Sequence, residues 1–222
     1  MASTHLIHAA IFDMDGLLID SEPLWELAEY EIMSTLGVDV SRRHELSETR
    51  GLRIDVVVDL WFNLAPWRGP SCAEVTARVI QRVVELVEQR RPLLPGVEHA
   101  LTLCKEQGLK VGLASASPLP MLERVLDIFK LRSYFDTLAS AEHLPYSKPH
   151  PQVYLNAAAQ LEVSPLHCVA LEDSVNGMIA CKAARMRSIV VPVTESRNDP
   201  RWSLAEIKLN SLEQLSANDL AG

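Results

Sequence analysis

Long apolar runs are missing from this 222-residue chain. No stretch of about 18 consecutive apolar residues occurs, so no transmembrane helix is expected. The N-terminal stretch lacks a basic start followed by a sustained apolar run, because Asp13 and Asp15 interrupt the only candidate, and no secretory leader is read there. Cysteine is scarce. Cys72, Cys104, Cys168 and Cys181 stand far apart with no C-x-x-C pair for zinc or redox chemistry, and are read as reduced, partly buried thiols. Positive charge is also short: 21 Lys and Arg face 29 Asp and Glu, for a formal net charge of −8. No basic field exists to attract nucleic-acid phosphates, which argues against nucleic acid as a partner. Apolar side chains, by contrast, are plentiful. Hydrophobic residues make up 48% of the chain and mean hydropathy is +0.06, which supports a buried core and excludes wholesale disorder. A cytoplasmic protein without a membrane partner is the expectation.

The length exceeds one average domain of ~100–200 residues without reaching two comfortable ones, which suggests a core with a smaller insert. Short apolar runs of strand length occur at Ala9–Phe12, Lys110–Ala114, Thr137–Ala139, Cys168–Leu171 and Ser188–Val191. Stretches with helical spacing alternate with them from Pro95 onward, for example Val97, Leu101 and Cys104 ending at Gly108, and Leu119 to Phe129 after Ser117-Pro118. Such alternation predicts an α/β fold, a Rossmann-like parallel sheet with helices on both faces. The segment 17–92 breaks the pattern and reads as helix throughout. Leu24, Ala28, Ile32 and Leu36 form one stripe closed by Gly37, and Ser71 with Glu74 is a capping box opening another helix. The predicted organisation is a core of residues 1–16 plus 93–222 and a helical cap of residues 17–92.

In open parallel sheets, ligands bind beyond the carboxyl ends of the strands. Asp13-Met14-Asp15-Gly16 follows the first run, Ser115-Ala116-Ser117 the second, a loop with Ser147-Lys148-Pro149 the third, and Glu172-Asp173-Ser174 the fourth. Taken singly, each has a plain structural explanation. Asp13-x-Asp15-Gly16 could be a turn, Ser117 is expected to cap the following helix, Lys148 could be solvated, and Asp173 or Ser174 could cap another helix. Four unrelated features at four strand ends are a poorer account than one site. As a set, these residues suit attack on a phosphate monoester. A carboxylate needs no base to act as nucleophile, a divalent cation between two acidic loops would relieve its repulsion by phosphate, and lysine and serine would hold the phosphoryl oxygens.

These residues resemble the haloacid dehalogenase superfamily of phosphohydrolases. IFDMDGLLIDSEP is similar to its first motif, Ser115 in GLASAS to the second, Lys148 in SKPHP to the third, and Glu172-Asp173 in LEDSVNG to the fourth. All four occur in order, and the likeness spans nearly the whole chain. The insert resembles the helical cap of the subgroup that holds beta-phosphoglucomutase and bacterial sugar and sugar-alcohol phosphatases. The resemblance implies Asp13 as nucleophile forming an aspartyl-phosphate and Asp15 as general acid and base. It implies Mg²⁺, with Mn²⁺ or Co²⁺ as substitutes, bound by Asp13, the Asp15 backbone carbonyl and Asp173, with Glu172 contributing directly or through water. Ser115, the Ala116 amide and Lys148 would bind the phosphoryl group.

Hydrolysis of small sugar phosphates or sugar-alcohol phosphates, such as 2-deoxyglucose 6-phosphate and hexitol phosphates, is the leading expectation, by a monomer. A phosphosugar mutase shares all four motifs, and a catalytically silent binding module is the third reading. Substrate choice should lie in the insert. There Arg53 is a candidate substrate-binding residue and Arg50 a weaker one, with a solvated helix start as the alternative for both. Trp25 and Trp61 are expected to pack the cap core, leaving Trp67, beside Pro66 and Pro70, as the more open ring.

Overall fold

The computed structural model describes residues 6–46, 49 and 51–221. Its sheet has six parallel strands in the order β3-β2-β1-β4-β5-β6. They are β1 (Ala9–Phe12), β2 (Lys110–Ser115), β3 (Thr137–Ser140), β4 (Cys168–Glu172), β5 (Arg187–Val190) and β6 (Ile207–Lys208). Five agree with the apolar runs read from sequence to within a residue or so. The sixth was missed because a two-residue edge strand has no periodicity to read.

Alternation along β1 divides the core. Ala10 and Phe12 face one apolar cluster with Leu113 and Leu171, while Ala9 and Ile11 face another with Ala114 and Ala170. The second face is covered by α6 (Gln152–Gln160) and α7 (Val175–Ala183), through Val153, Ala157 and Ala180 among others. Helices α4 (Val97–Glu106) and α5 (Leu119–Phe129) cover the first, with Leu101 and Leu122 fully buried. Each such aliphatic side chain contributes about 1.5–3 kcal/mol by leaving water. Strands buried on both faces explain why the runs read as continuously apolar.

Between β1 and β2 the chain forms α1 (Glu22–Thr35), α2 (Ile54–Leu64) and α3 (Cys72–Arg90). Both halves of the Ser71/Glu74 capping box are made, and Val75, Val79, Val83 and Leu86 are buried along α3. On α1 the buried face is Leu24, Ala28, Glu29 and Met33, not the Leu24-Ala28-Ile32-Leu36 stripe. Steps of four overshoot a 3.6-residue turn by about 40° each, so a run of fours drifts off the face. The entering and leaving chains lie side by side: Ile19 bridges Leu93, and Leu94 N–H donates to Leu18 O at 2.9 Å. One apolar cluster runs from these helices into the sheet.

Candidate active site

β1 lies between β2 and β4, with Phe12 in register with Leu113 on one side and Leu171 on the other. The chain leaves β1 for β2 and later returns to β4 on the opposite flank. That reversal of strand order opens a crevice at the carboxyl ends. The ladder continues past the strand: Asp13 N–H donates to Leu171 O at 3.0 Å. Asp13, Ser115 and Glu172-Asp173 therefore meet on adjacent strand ends.

Lys148 is the hub. Its Nζ lies 2.7 Å from Asp13 Oδ1, 2.6 Å from Glu172 Oε1 and 3.2 Å from Ala114 O, and the residue is only 3% exposed. Burial works against its charge, but Asp13 and Glu172 outweigh that and hold its pKa above the ordinary lysine value. Asp13 moves in the unusual direction. Burial first, then Glu172, push its carboxyl up to about 8, with Lys148 pulling the other way.

Asp15, two residues on, keeps different company. Ser21 Oγ and Trp25 Nε1 donate to its Oδ1 at 2.6 and 3.0 Å, and Ser117 Oγ donates to its Oδ2 at 2.7 Å. One of these partners corrects the sequence reading and another adds to it. Ser117 does not cap α5, whose N-cap is Pro118; its hydroxyl is spent on Asp15, and its amide donates to Ser115 Oγ at 3.0 Å. Trp25 packs against the shared apolar cluster, as expected, and its ring also lines the cavity over the site. Trp67, expected to be the open ring, is buried, donates to Pro70 O and meets Phe62 edge-on. Trp61 is fully buried, as expected.

Among the described residues, Asp13, Glu172 and Asp173 form one buried group whose carboxylate oxygens lie within 4.8 Å of one another. An all-oxygen set of three carboxylates against one lysine suits a hard divalent cation. Gly16, at φ +82°, makes room for the Asp173 carboxylate: a Cβ there would lie 2.2 Å from Asp173 Oδ2. Glu172 is largely engaged elsewhere. Lys148 and the Tyr154 hydroxyl donate to its Oε1, while the Asp173 and Ser174 amides donate to Oε2 at 3.2 and 3.3 Å. Tyr154 escaped the sequence reading because an aromatic residue on a helix after SKPHP looks like packing. Ser174, not Asp173, caps α7.

A cavity of about 340 Å³ lies between the sheet edge and the inserted helices. Asp13, Asp15, Ser115, Ala116 and Lys148 line its floor, and Trp25, Glu29, Arg43 and Leu52 are in the opposite wall. Arg53 is not in that lining. Its guanidinium pairs with Asp55 at 2.7 Å and donates to Ala141 O and Leu144 O at 2.9 and 2.7 Å, tying the inserted helices to the loop that leads to Lys148. Arg50 lies outside the described residues.

Comparison with known proteins agrees with this architecture. The haloacid dehalogenase-like hydrolase family matches residues 7–185, and the chain belongs to that family. It is 69% identical to hexitol phosphatase B of Escherichia coli (strain K12), over all of both chains. Fructose-1-phosphate phosphatase of the same strain is 31% identical, over 82% of this chain and 94% of that one. Among solved structures, a CbbY variant from Rhodobacter sphaeroides in complex with xylulose-(1,5)bisphosphate superimposes with a TM-score of 0.80. It is 27% identical, covering 98% of this chain and 100% of that one. A beta-phosphoglucomutase from Clostridium difficile gives 0.81 at 25% identity, covering 96% and 95%. No helix among the described residues is long and apolar enough to cross a membrane.

Proposed function

We propose that this protein hydrolyses phosphate monoesters of small sugars and sugar alcohols through an aspartyl-phosphate on Asp13. The observation that carries the reading is the division of labour between two neighbouring carboxylates over one cavity: Asp13 set against Lys148, and Asp15 held by three donors. Full-length identity of 69% to hexitol phosphatase B supports the substrate class. In this reading residues 17–92 are the cap, the remainder is the core, and the protein works as a cytoplasmic monomer.

An Asp13 carboxylate oxygen attacks phosphorus in line as the ester P–O bond breaks, and Asp15 gives its proton to the departing alkoxide. Asp15 then takes a proton from water, which attacks the acyl-phosphate, releasing inorganic phosphate and restoring Asp13. Lys148, the Ser115 hydroxyl and the Ala116 amide hold the phosphoryl oxygens. Asp13, Asp173 and the Asp15 carbonyl would hold Mg²⁺, with Mn²⁺ or Co²⁺ as substitutes. Glu172 supports the site by fixing Lys148. When bound, the cation supplies charge neutralisation between nucleophile and phosphate.

The test is phosphate release from hexitol 6-phosphates, 2-deoxyglucose 6-phosphate and an aryl phosphate, with Mg²⁺ and with chelator. Metal-dependent release is expected from all of them. Conversion of glucose 1-phosphate to its isomer without free phosphate would establish a mutase instead, and no turnover of any ester would establish a silent binding module.

A further inference from the structure

The phosphoryl end of the cavity sees only phosphate, so under the reading above, on which this inference rests, the choice of ester belongs to the opposite wall. Glu29 and Arg43 stand in that wall. Glu29 sits on the buried face of α1 and is 3% exposed, an unusual place for a carboxylate. Trp61 Nε1 donates to its Oε2 at 2.9 Å, and Arg43 Nε lies 3.5 Å from the same oxygen. Both contacts fall on Oε2, which leaves Oε1 for an occupant of the cavity. Arg43 donates through Nη2 to Thr49 Oγ1 at 2.9 Å, while its buried Nε makes no hydrogen bond.

A buried donor without a hydrogen bond, Arg43 Nε, is costly unless a ligand completes it, and Glu29 offers an acceptor beside it. Side by side they match hydroxyl groups, which donate and accept at once. Charge adds a second filter. Among the described residues of that wall, Glu26 and Glu29 stand against Arg43, so a second phosphate on the substrate would meet repulsion.

We infer that Glu29, set in place by Trp61 and Arg43, is the specificity-determining residue: it reads the hydroxyls of a neutral polyol tail and turns away esters with a second anionic group.

Steady-state kinetics of the full chain with Mg²⁺ test this on four esters: a hexitol 6-phosphate, p-nitrophenyl phosphate, fructose 6-phosphate and fructose 1,6-bisphosphate. In Glu29→Gln, which still offers Trp61 an acceptor, kcat/KM for the hexitol ester should fall about 10- to 100-fold relative to the aryl ester, mainly through KM. The bisphosphate should gain about tenfold on fructose 6-phosphate. If the melting curve of Glu29→Gln shows a damaged fold, Arg43→Gln is measured on the same esters, with the hexitol-to-aryl ratio expected to fall as above and the bisphosphate to lose further ground on fructose 6-phosphate. Parallel losses on hexitol and aryl esters would reduce the pair to packing and overturn the inference while leaving the functional reading intact. A wild type that cleaves the aryl ester but no phosphorylated sugar or hexitol overturns that reading, and the inference with it.

Discussion

Asp13 and Asp15 are separated by a single residue, yet their environments separate their chemistry. Asp13 is buried against Lys148 and the acidic pair at the end of β4, whereas Asp15 turns to Ser21, Trp25 and Ser117. Asp13→Asn is isosteric but poorly nucleophilic, so phosphate release should fall about a thousandfold or more with the melting temperature maintained; wild-type turnover would refute the nucleophile. Trp25→Phe keeps the ring and removes one donor from Asp15. We expect kcat to drop about three- to tenfold and the pH–rate profile to shift, which a purely structural loss would not do. Glu29 offers a test away from the reacting atoms. Burial raises its pKa above 4.5 in spite of Trp61 and Arg43. The folded state thus binds the proton more tightly than the unfolded chain, and the stability this contributes is complete below pH 4.5 and lost as pH rises through the folded value. A glutamine there cannot titrate. The melting temperature of Glu29→Gln should therefore gain on wild type as pH rises above 4.5, and parallel curves would contradict the assignment.

Short strands do the positioning at the level of elements. β1, β2 and β4 are in register, so each delivers its first polar residues to one edge. The turn after β1 and the start of α7 are both built tightly around a carboxylate. A Cβ on Gly177 would lie 1.9 Å from Glu172 Oε1, so Gly177→Ala must displace either α7 or the carboxylate that holds Lys148. A loss of about 2–3 kcal/mol in denaturant unfolding is expected, together with weakened phosphate release. The α3 cap is independent of the site: Ser71→Ala should cost about 1 kcal/mol without altering substrate preference. Most of these elements were legible in the sequence, because buried parallel strands and capped amphipathic helices have strong local signatures. Where the reading slipped, local signals competed. Ser117 precedes a proline and looks like a cap, but a carboxylate more than a hundred residues away in sequence claims its hydroxyl.

Across the whole molecule, the inserted helices and the sheet share one apolar cluster and one cavity. Arg53 joins them by donating to the Ala141 and Leu144 carbonyls. Arg53→Ala should speed amide exchange across residues 141–148 and lower kcat/KM to a similar extent for sugar and aryl esters; a loss confined to sugar esters would make Arg53 a substrate contact instead. The awkward length and the charge of −8 with which the chain presents itself now have a physical place: a helical insert over a sheet edge, and an acidic excess that includes the cation's own candidate ligands. By itself the sequence determined the α/β alternation, the helical insert and the four polar strand ends, because each is written in neighbouring residues and their periodicity. Only the tertiary structure decided that Lys148 bridges Asp13 and Glu172, that Trp25 and Ser117 hold Asp15, and that Glu29 faces the cavity while Arg53 clamps a loop. Most of those pairings join residues distant along the chain, and packing and burial, which no local pattern encodes, select them.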